Sequence, residues 1–564
     1  MEALDWLVIG VFFLALIGII VWVVRQKQND SADYFLGGRD ATWLAIGASI
    51  FASNIGSEHL IGLAGAGASS GMAMAHWEIQ GWMILILGWV FVPFYSRSMV
   101  YTMPEFLERR YNPQSRTILS VISLVSYVLT KVAVTVYAGG LVFQQVFGIK
   151  ELWGIDFFWI AAIGLVVLTA LYTIFGGMKS VLYTSVLQTP ILLLGSLIIL
   201  VLGFKELGGW DEMMRVCGAV TVNDYGVTMT NLIRSNDDAN FPWLGALIGS
   251  AIIGFWYWCT DQFIVQRVLS GKNEMEARRG TIFGAYLKLL PVFLFLIPGM
   301  IAFALHQKYI GAGGEGFLPM LENGTANADA AFPTLVAKLL PAGVKGLVVC
   351  GILAALMSSL ASLFNSSAML FTIDFYKRFR PQTSEKKLVG IGQVATVVIV
   401  ILGILWIPIM RSVGDVLYTY LQDVQSVLAP GIAAAFLLGI CWKRTSAQGG
   451  MWGLISGMVI GLTRLGAKVY YSNAGEVADS TFKYLFYDMN WLFFCGWMFL
   501  FCIIVVIVVS LATEAPTAEK IQGLVFGTAT KEQKASTRAS WNHWDIIHTV
   551  IILAITGAFY WYFW

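Results

Sequence analysis

Charged side chains are scarce in this sequence. They make up 12% of its 564 residues, whereas 57% of the residues are hydrophobic, and the mean hydropathy is +0.72. No water-soluble domain of this length has such a composition. The formal net charge of +2 provides no basic surface for a nucleic acid. The composition therefore indicates a protein of the lipid bilayer.

Cysteine is also rare, and its placement excludes two kinds of site. Five of the six cysteines lie in apolar segments, and no C-x-x-C spacing occurs. A disulfide framework and a zinc site are therefore not expected. The five histidines are scattered without ligand spacing, which argues against a metal-dependent membrane enzyme.

Long hydrophobic runs fill most of the chain. A hydrocarbon core about 30 Å thick requires roughly 20 apolar residues per helix. By this measure we predict an all-α polytopic membrane protein with about 14 transmembrane helices. The predicted spans are 5–24, 42–67, 73–95, 117–146, 156–176, 181–204, 242–266, 280–306, 340–373, 389–410, 415–441, 448–466, 490–513 and 544–563.

The basic residues predict how the chain is oriented. Alternate loops between the predicted spans contain 23 of the 36 Lys and Arg residues, and such loops face the cytoplasm. The acidic loops 205–241 and 307–339 then face outward, and both termini lie outside. Because the loops are too short for a catalytic domain, we expect one transmembrane domain over 1–564. Their shortness favours a bacterial inner membrane.

Several ionisable residues fall inside predicted spans, where hydrocarbon strongly disfavours them. They are Glu58, His59, Glu78, Lys131, Asp261, Lys288 and Asp423. For a lone residue, the alternative to a functional role is a buried pair between helices. We expect only such pairs for Lys131, Asp261 and Asp423, with Asp261 near Arg267.

The second span contains the polar stretch SNIGSEHLIG, residues 53–62. Asn54, Gly56 and Gly62, with two serines, make this a weak point in a helix. Unwound backbone within a membrane is tolerated only where it lines a cavity or lies within protein. It also frees carbonyl oxygens that suit a hard cation. A glycine-lined packing contact is the alternative.

A second candidate lies in ALMSSLASLFNSS, residues 355–367. Ala355, Ser358, Ser359 and Ser362 are spaced by three and four residues and therefore share one face of a helix. Two hydroxyls on that face can bind a monovalent cation. Close packing between helices is the alternative explanation.

These residues carry a resemblance to a known family. The chain resembles the sodium:solute symporter family nearly end to end, and most of all its sodium/glucose cotransporters. The motifs are FLGGRDATWLAIGASIFASNIGSEHLIGLAG, MPEFLERRY, LYTIFGGMKSV, WYWCTDQFIVQRVLSGKN, YLKLLP, SSLASLFNSSAMLFTIDFYK and FLLGICWKR.

The resemblance implies a leucine-transporter-like fold with a core of two inverted five-helix repeats. The core would occupy about 42–441, with additional helices at about 5–24, 448–466, 490–513 and 544–563. The first helix of each repeat would be broken, with alternating access around a central site. In the seventh span, Gly254 is the expected weak point.

The resemblance also implies two binding sites. The sodium site comprises the carbonyls of Ala52, Ile55 and Ala355 and the hydroxyls of Ser358 and Ser359. The sugar site comprises Asn54, His59, Glu78, Lys288 and Gln422, with the aromatic faces of Tyr257 and Trp258. A ring of hydroxyls requires such mixed donors and acceptors.

Gates are implied as well. Leu63, Trp77 and Tyr418 match an outer lid, and Tyr257 also matches an inner gate. Glu58 has no implied sugar role, so we expect a structural partner for it outside the pocket.

The implied function is inward sodium movement coupled to uptake of a hexose such as glucose or galactose, without enzymatic activity. Sodium would be the co-transported ion, and no nucleic acid or obligate protein partner is expected. A sodium-coupled symporter of myo-inositol or another polyol remains an alternative, as does a sodium-leak channel.

One departure from the family pattern predicts the stoichiometry. Members that move two sodium ions per sugar have an Asp where this chain has Ser185, and a Thr where it has Ala361. A second buried cation would therefore lack a carboxylate and a hydroxyl. We predict one sodium ion per sugar.

Overall fold

A computed structural model of the protein describes the chain except for residues 27, 29, 57, 223–225, 322–323, 412–416 and 474–477. The side chains of residues 129, 409–411, 417–423 and 473 also lie outside the description. The described residues form 27 α-helices, numbered here α1 to α27 in chain order.

The helices account for most of the chain. The first nine, α1 to α9, are Ala3–Val24, Ser31–Leu36, Trp43–Asn54, Ala64–Ser70, Ala75–Glu78, Gly81–Ile86, Val92–Ser98, Met103–Arg110 and Pro113–Ser126. Helices α10 to α18 are Ala133–Phe147, Phe157–Leu207, Trp210–Gly218, Trp243–Gly254, Gln262–Leu269, Glu274–Lys288, Ile297–Gly311, Ala331–Leu339 and Val344–Met369. Helices α19 to α27 are Lys377–Phe379, Glu385–Arg411, Leu417–Cys441, Ala447–Asn473, Thr481–Lys483, Trp491–Ala512, Ala518–Ile521, Lys531–Ala539 and His543–Tyr562.

Short irregular elements connect these helices. The π-helical turns are Glu58–Leu63, Leu87–Phe91, Tyr127–Val132, Phe255–Thr260, Val292–Leu296, Leu370–Tyr376 and Tyr484–Asp488. The 3-10 turns are Gly37–Arg39, Gly71–Met74 and Ala328–Ala330. Strands β1, Glu151–Leu152, and β2, Ile155–Asp156, pair antiparallel in a two-stranded hairpin.

Within the described residues, every predicted span falls mainly on helical residues. By length and composition, 11 continuous helical segments in the described residues can cross a membrane. The number is smaller than predicted for three reasons. Helix α3 has only 12 residues, α22 is less apolar, and α11 joins two predicted spans. Within α11, Gly177 has φ 52° and ψ −146°, which separates the two spans where the sequence predicted a loop.

The core of the bundle surrounds α18, which is buried along almost its whole length and packs against α3 and α11. Helices α1, α24 and α27 instead expose apolar side chains, as expected for surfaces that contact lipid. Glycines permit the closest approaches. A Cβ added at Gly299 of α16 would overlap the carbonyl oxygen of Ala64, and one at Gly67 would overlap that of Leu296. The half-helix after the break in the second span therefore lies directly on α16.

Candidate functional site

The second span is interrupted where its polar stretch lies. Helix α3 ends at Asn54, and Ile55 has an extended backbone with φ −80° and ψ 106°. Helical structure resumes at Glu58 as a π-helical turn that leads into α4. Because the last carbonyls of a helix have no partner in the next turn, the break leaves oxygen atoms available at this depth. The predicted weak point is confirmed.

The serine face of α18 packs against this broken helix. The hydroxyls of Ser53 and Ser362 lie 2.6 Å apart, and those of Ser185 and Ser358 lie 3.3 Å apart. Ser359 is buried and lines an internal pocket that also contains Asn54. Ala52, Ile55 and Ala355, the three residues implied to bind sodium through carbonyls, are all fully buried. The structure thus brings the two elements of the implied sodium site together.

Buried charges meet on the other side of the break. The Nζ of Lys288 donates to Glu78 Oε2 at 2.6 Å and to Asn54 Oδ1 at 3.1 Å. Asn54 in turn donates through Nδ2 to the hydroxyl of Tyr257 at 3.1 Å. His59 Nε2 lies 3.3 Å from the same Glu78 oxygen. Five residues predicted for the sugar site therefore form one connected group.

Aromatic rings line the same pocket. Trp258 packs edge-on against Tyr257, with ring centroids 4.9 Å apart, and its ring lies 5.4 Å from Lys288 Nζ. Trp77 stacks on Trp491 with centroids 5.5 Å apart. The indole nitrogen of Trp77 and Nδ1 of His59 are buried without a hydrogen-bond partner among the described residues. These groups are therefore available to a polar ligand.

The structure does not place every predicted residue in this pocket. Leu63 is fully buried in the π-helical turn and is not part of the pocket lining. The side chains of Gln422, Tyr418 and Asp423 lie outside the described residues.

The pocket also contains residues that the sequence interpretation missed. They are Glu58, Gln80, Lys131, Thr135, Ile253, Gly254, Phe263, Leu363 and Gln425. Glu58 lies in the wall of the pocket, and the structural partner expected for it outside the pocket is not found among the described residues. Gln425 could have been found from sequence, since a position three residues after Gln422 shares its helix face.

The seventh span is interrupted later than expected. Gly254 is helical, with φ −63° and ψ −40°, and the break comes at Asp261, which has φ −76° and ψ 127°. The absence of a side chain at Gly254 instead accommodates Gln80, whose Oε1 would lie 2.5 Å from an added Cβ. The α-helix ends at Gly254 and continues as the π-helical turn Phe255–Thr260, so the predicted weak point marks a change of helix type, and the chain leaves helical geometry only at Asp261.

Two of the remaining buried charges form a pair, as expected. Lys131 Nζ donates to Asp261 Oδ2 at 2.6 Å, and the Tyr127 hydroxyl donates to the other oxygen of Asp261. The rings of Tyr127, Trp256, Tyr257 and Phe263 surround the ammonium group at 4.7–5.3 Å from their centroids. The anticipated contact with Arg267 is not the one formed, because Arg267 donates to the carbonyl of Phe263.

No group of three or more His, Cys, Asp or Glu side chains that could hold a metal occurs in the part of the chain described here. A monovalent cation bound by neutral oxygens needs no such group. The arrangement therefore suits a cation at the broken helix beside a polar, aromatic-lined pocket.

The whole architecture is that of a secondary transporter. A solved structure described as the substrate-bound outward-open state of a Na⁺-coupled sialic acid symporter matches this chain with TM-score 0.71 and 20% identity, covering 92% of this chain and 99% of that one. At this identity the likeness concerns the fold. It is the leucine-transporter-like fold of two inverted five-helix repeats that the family resemblance implied.

Sequence relatives identify the family. The model of the sodium:solute symporter family matches residues 34–457. Human sodium/myo-inositol cotransporter 2 is 36% identical over 542 residues, covering 94% of this chain and 79% of the relative. Zebrafish sodium/glucose cotransporter 4 is 35% identical over 557 residues, covering 96% and 84%. The chain belongs to the sodium:solute symporter family, and sodium is its co-transported ion.

Proposed function

We propose that this protein couples inward sodium movement to uptake of a neutral hexose, such as glucose or galactose, by alternating access. The observation that carries the proposal is the connected pocket group of Lys288, Glu78, Asn54 and Tyr257 beside the break in the second span. The zebrafish sodium/glucose relative supports a sugar as the substrate class.

Each pocket residue has a chemical role in this proposal. Glu78 accepts hydrogen bonds from hydroxyls, Lys288 donates, and Asn54 does both. His59, through Nδ1, and Trp77, through its indole N–H, supply hydrogen-bonding groups that no described residue uses. Gln422 is assigned to the same site from the family resemblance, and Trp258 and Tyr257 offer faces to the C–H surface of a sugar ring.

The sodium ion is proposed to bind at the contact of α3 and α18. Its ligands would be the carbonyls of Ala52, Ile55 and Ala355 and the hydroxyls of Ser358 and Ser359. All five ligands are neutral, so the bound ion keeps its full charge and responds to the membrane potential.

The remaining assignments complete the transport cycle. Trp77, with Leu63 and Tyr418, would cover the sugar from outside, and Tyr257 would close the path inward. We assign the whole chain, 1–564, to one transport domain without enzymatic activity. Both termini are placed outside a plasma membrane, which we propose is a bacterial inner membrane.

A cyclic polyol is the second candidate substrate. The human relative is named a sodium/myo-inositol cotransporter, and the same donors and acceptors could hold six ring hydroxyls without a ring oxygen. The two candidates share the sodium site and differ only in the ligand of the pocket.

Uptake into proteoliposomes tests the proposal. The purified protein should accumulate labelled glucose or myo-inositol only when an inward sodium gradient is present. Competition by a panel of hexoses and inositol then ranks the substrates. Sodium entry that is independent of every tested substrate would instead indicate a leak channel and contradict symport.

A further inference from the structure

Glu58 is a pocket carboxylate to which the proposed function assigns no role. It lies at the start of the half-helix that follows the break in the second span, and its side chain forms part of the pocket wall with Asn54 and His59. The carboxylate folds back over Gly56, where an added Cβ would lie 2.5 Å from Glu58 Oε2. It therefore sits at the junction of the break and the pocket.

The other charges of the pocket already have partners. Lys288 pairs with Glu78 at 2.6 Å, and Lys131 pairs with Asp261 at 2.6 Å. Among the described residues, Glu58 has no ion pair and no hydrogen bond to another side chain. His59, Lys131 and Glu78 are the charged or titratable groups near enough to influence it. It is thus the one pocket carboxylate in the described chain that no cation holds.

A structural role alone does not account for this residue. A carboxylate at a helix N-terminus gains a modest stabilisation from the helix dipole. The same carboxylate is half-buried in the pocket wall, and the part of its hydration that it loses there costs free energy unless the carboxylate is paired. A neutral side chain would cap the half-helix at a lower cost, so the charge itself requires another explanation.

We propose that Glu58 is a further substrate-binding and specificity-determining residue, whose two carboxylate oxygens accept hydrogen bonds from neighbouring hydroxyls of the transported sugar or polyol. This inference rests on the proposed function. An ionised carboxylate only accepts hydrogen bonds, and it accepts them strongly. The two glutamates of the pocket then have different roles. Glu78 binds both Lys288 and the substrate, whereas Glu58 binds the substrate alone.

Two consequences for specificity follow. A substrate that lacks the hydroxyl facing Glu58 would cover the carboxylate without pairing it, so a deoxy analogue should bind poorly. A sugar acid that places a carboxylate at that position should be excluded by charge repulsion. The pocket is therefore selective for neutral polyhydroxylated rings.

The test compares the full-length protein with Glu58→Gln and Glu58→Asp in proteoliposomes under a fixed sodium gradient. The probes are glucose and myo-inositol and the monodeoxy analogues of whichever is transported. Glu212→Gln is the matched control, since Glu212 pairs with exposed Arg215 in the short helix α12, away from the pocket. Thermal unfolding without substrate reports whether each variant is folded.

We expect the unsubstituted protein to bind one or two of the deoxy analogues at least tenfold more weakly than the sugar or polyol that carries all its hydroxyls, called here the parent sugar. In Glu58→Gln the parent sugar should itself bind about tenfold more weakly, and those analogues should no longer be distinguished from it. The concentration of sodium for half-maximal uptake should change less than twofold. Glu58→Asp, which keeps the charge, gives the same comparison if the Gln variant does not fold.

Unchanged discrimination among the analogues in a folded variant would overturn the role of Glu58 while leaving sodium-coupled sugar transport intact. A parent protein that takes up neither probe in response to sodium would overturn both proposals together. A larger effect on sodium dependence than on sugar affinity would also contradict the inference.

Discussion

Ser359 differs from its neighbours on α18 because it lines the pocket, whereas Ser362 bonds across to Ser53. We predict that Ser359→Ala weakens sodium binding by about 1–3 kcal/mol through loss of one ligand. The sodium concentration for half-maximal sugar uptake should therefore rise by roughly 5- to 150-fold. Uptake measured across a sodium titration gives this value directly.

The control for this prediction lies two turns along the same helix. Ser366 donates to Gln266 Oε1 at 2.7 Å and has no proposed ligand role. Ser366→Ala should lower thermal stability and leave the sodium titration unchanged. If the two variants show the same sodium dependence, the prediction is wrong, and the serine face of α18 serves only for packing between helices.

A different residue-scale prediction concerns the ion pair of Lys131 and Asp261. Lys131→Met leaves the Asp261 carboxylate buried and unpaired, which costs about 3–5 kcal/mol in comparable sites. We expect a clear loss of thermal stability in detergent, and partial recovery in the double variant Lys131→Met with Asp261→Asn. No recovery in the double variant would show that the pair contributes through something other than its charges.

At the scale of elements, the half-helix formed by Glu58–Leu63 and α4 depends on its contact with α16. A side chain at Gly299 cannot be accommodated without moving backbone, because an added Cβ overlaps the carbonyl of Ala64. Gly299→Ala should therefore destabilise the protein by about 1–3 kcal/mol and slow transport. On the same helix, Gly311 has no atom within 4 Å of an added Cβ, so Gly311→Ala should be tolerated. Thermal unfolding and initial uptake rates compare the two, and equal behaviour would contradict the proposed contact.

The elements also show what sequence reasoning can and cannot predict. The hydrophobic runs predicted the helices, and the polar stretch 53–62 predicted the break of the second span, because both are local properties. The break at Asp261 and the pairing of Lys131 with it, 130 residues apart in sequence, depend on how distant helices pack. The same reason explains why the sequence does not predict the position of Glu58 in the pocket wall, since its neighbours Lys131 and Glu78 come from other elements.

For the molecule as a whole, the number of ions moved sets how far it can concentrate its substrate. Ser185 stands where two-sodium members of the family have an Asp, and its hydroxyl lies 2.6 Å from the Val181 carbonyl and 3.3 Å from Ser358. Ala361, in place of a Thr, is fully buried and apolar. The only charged ligand expected of a second sodium site is thus missing, and we predict one sodium ion per sugar.

The prediction is measurable as a balance of driving forces. One charge crossing 100 mV contributes about 2.3 kcal/mol, and a tenfold sodium gradient adds about 1.4 kcal/mol. Together they sustain sugar accumulation of roughly 500-fold for one ion, and roughly the square of that ratio for two. In sealed proteoliposomes with fixed sodium, voltage and sugar gradients, net sugar flux should vanish at the one-ion ratio. If net flux instead vanishes at the squared ratio, the prediction is wrong, and a second cation must be bound by neutral oxygens alone. Ser49, whose hydroxyl lies 3.5 Å from that of Ser185, would then be the first residue to substitute.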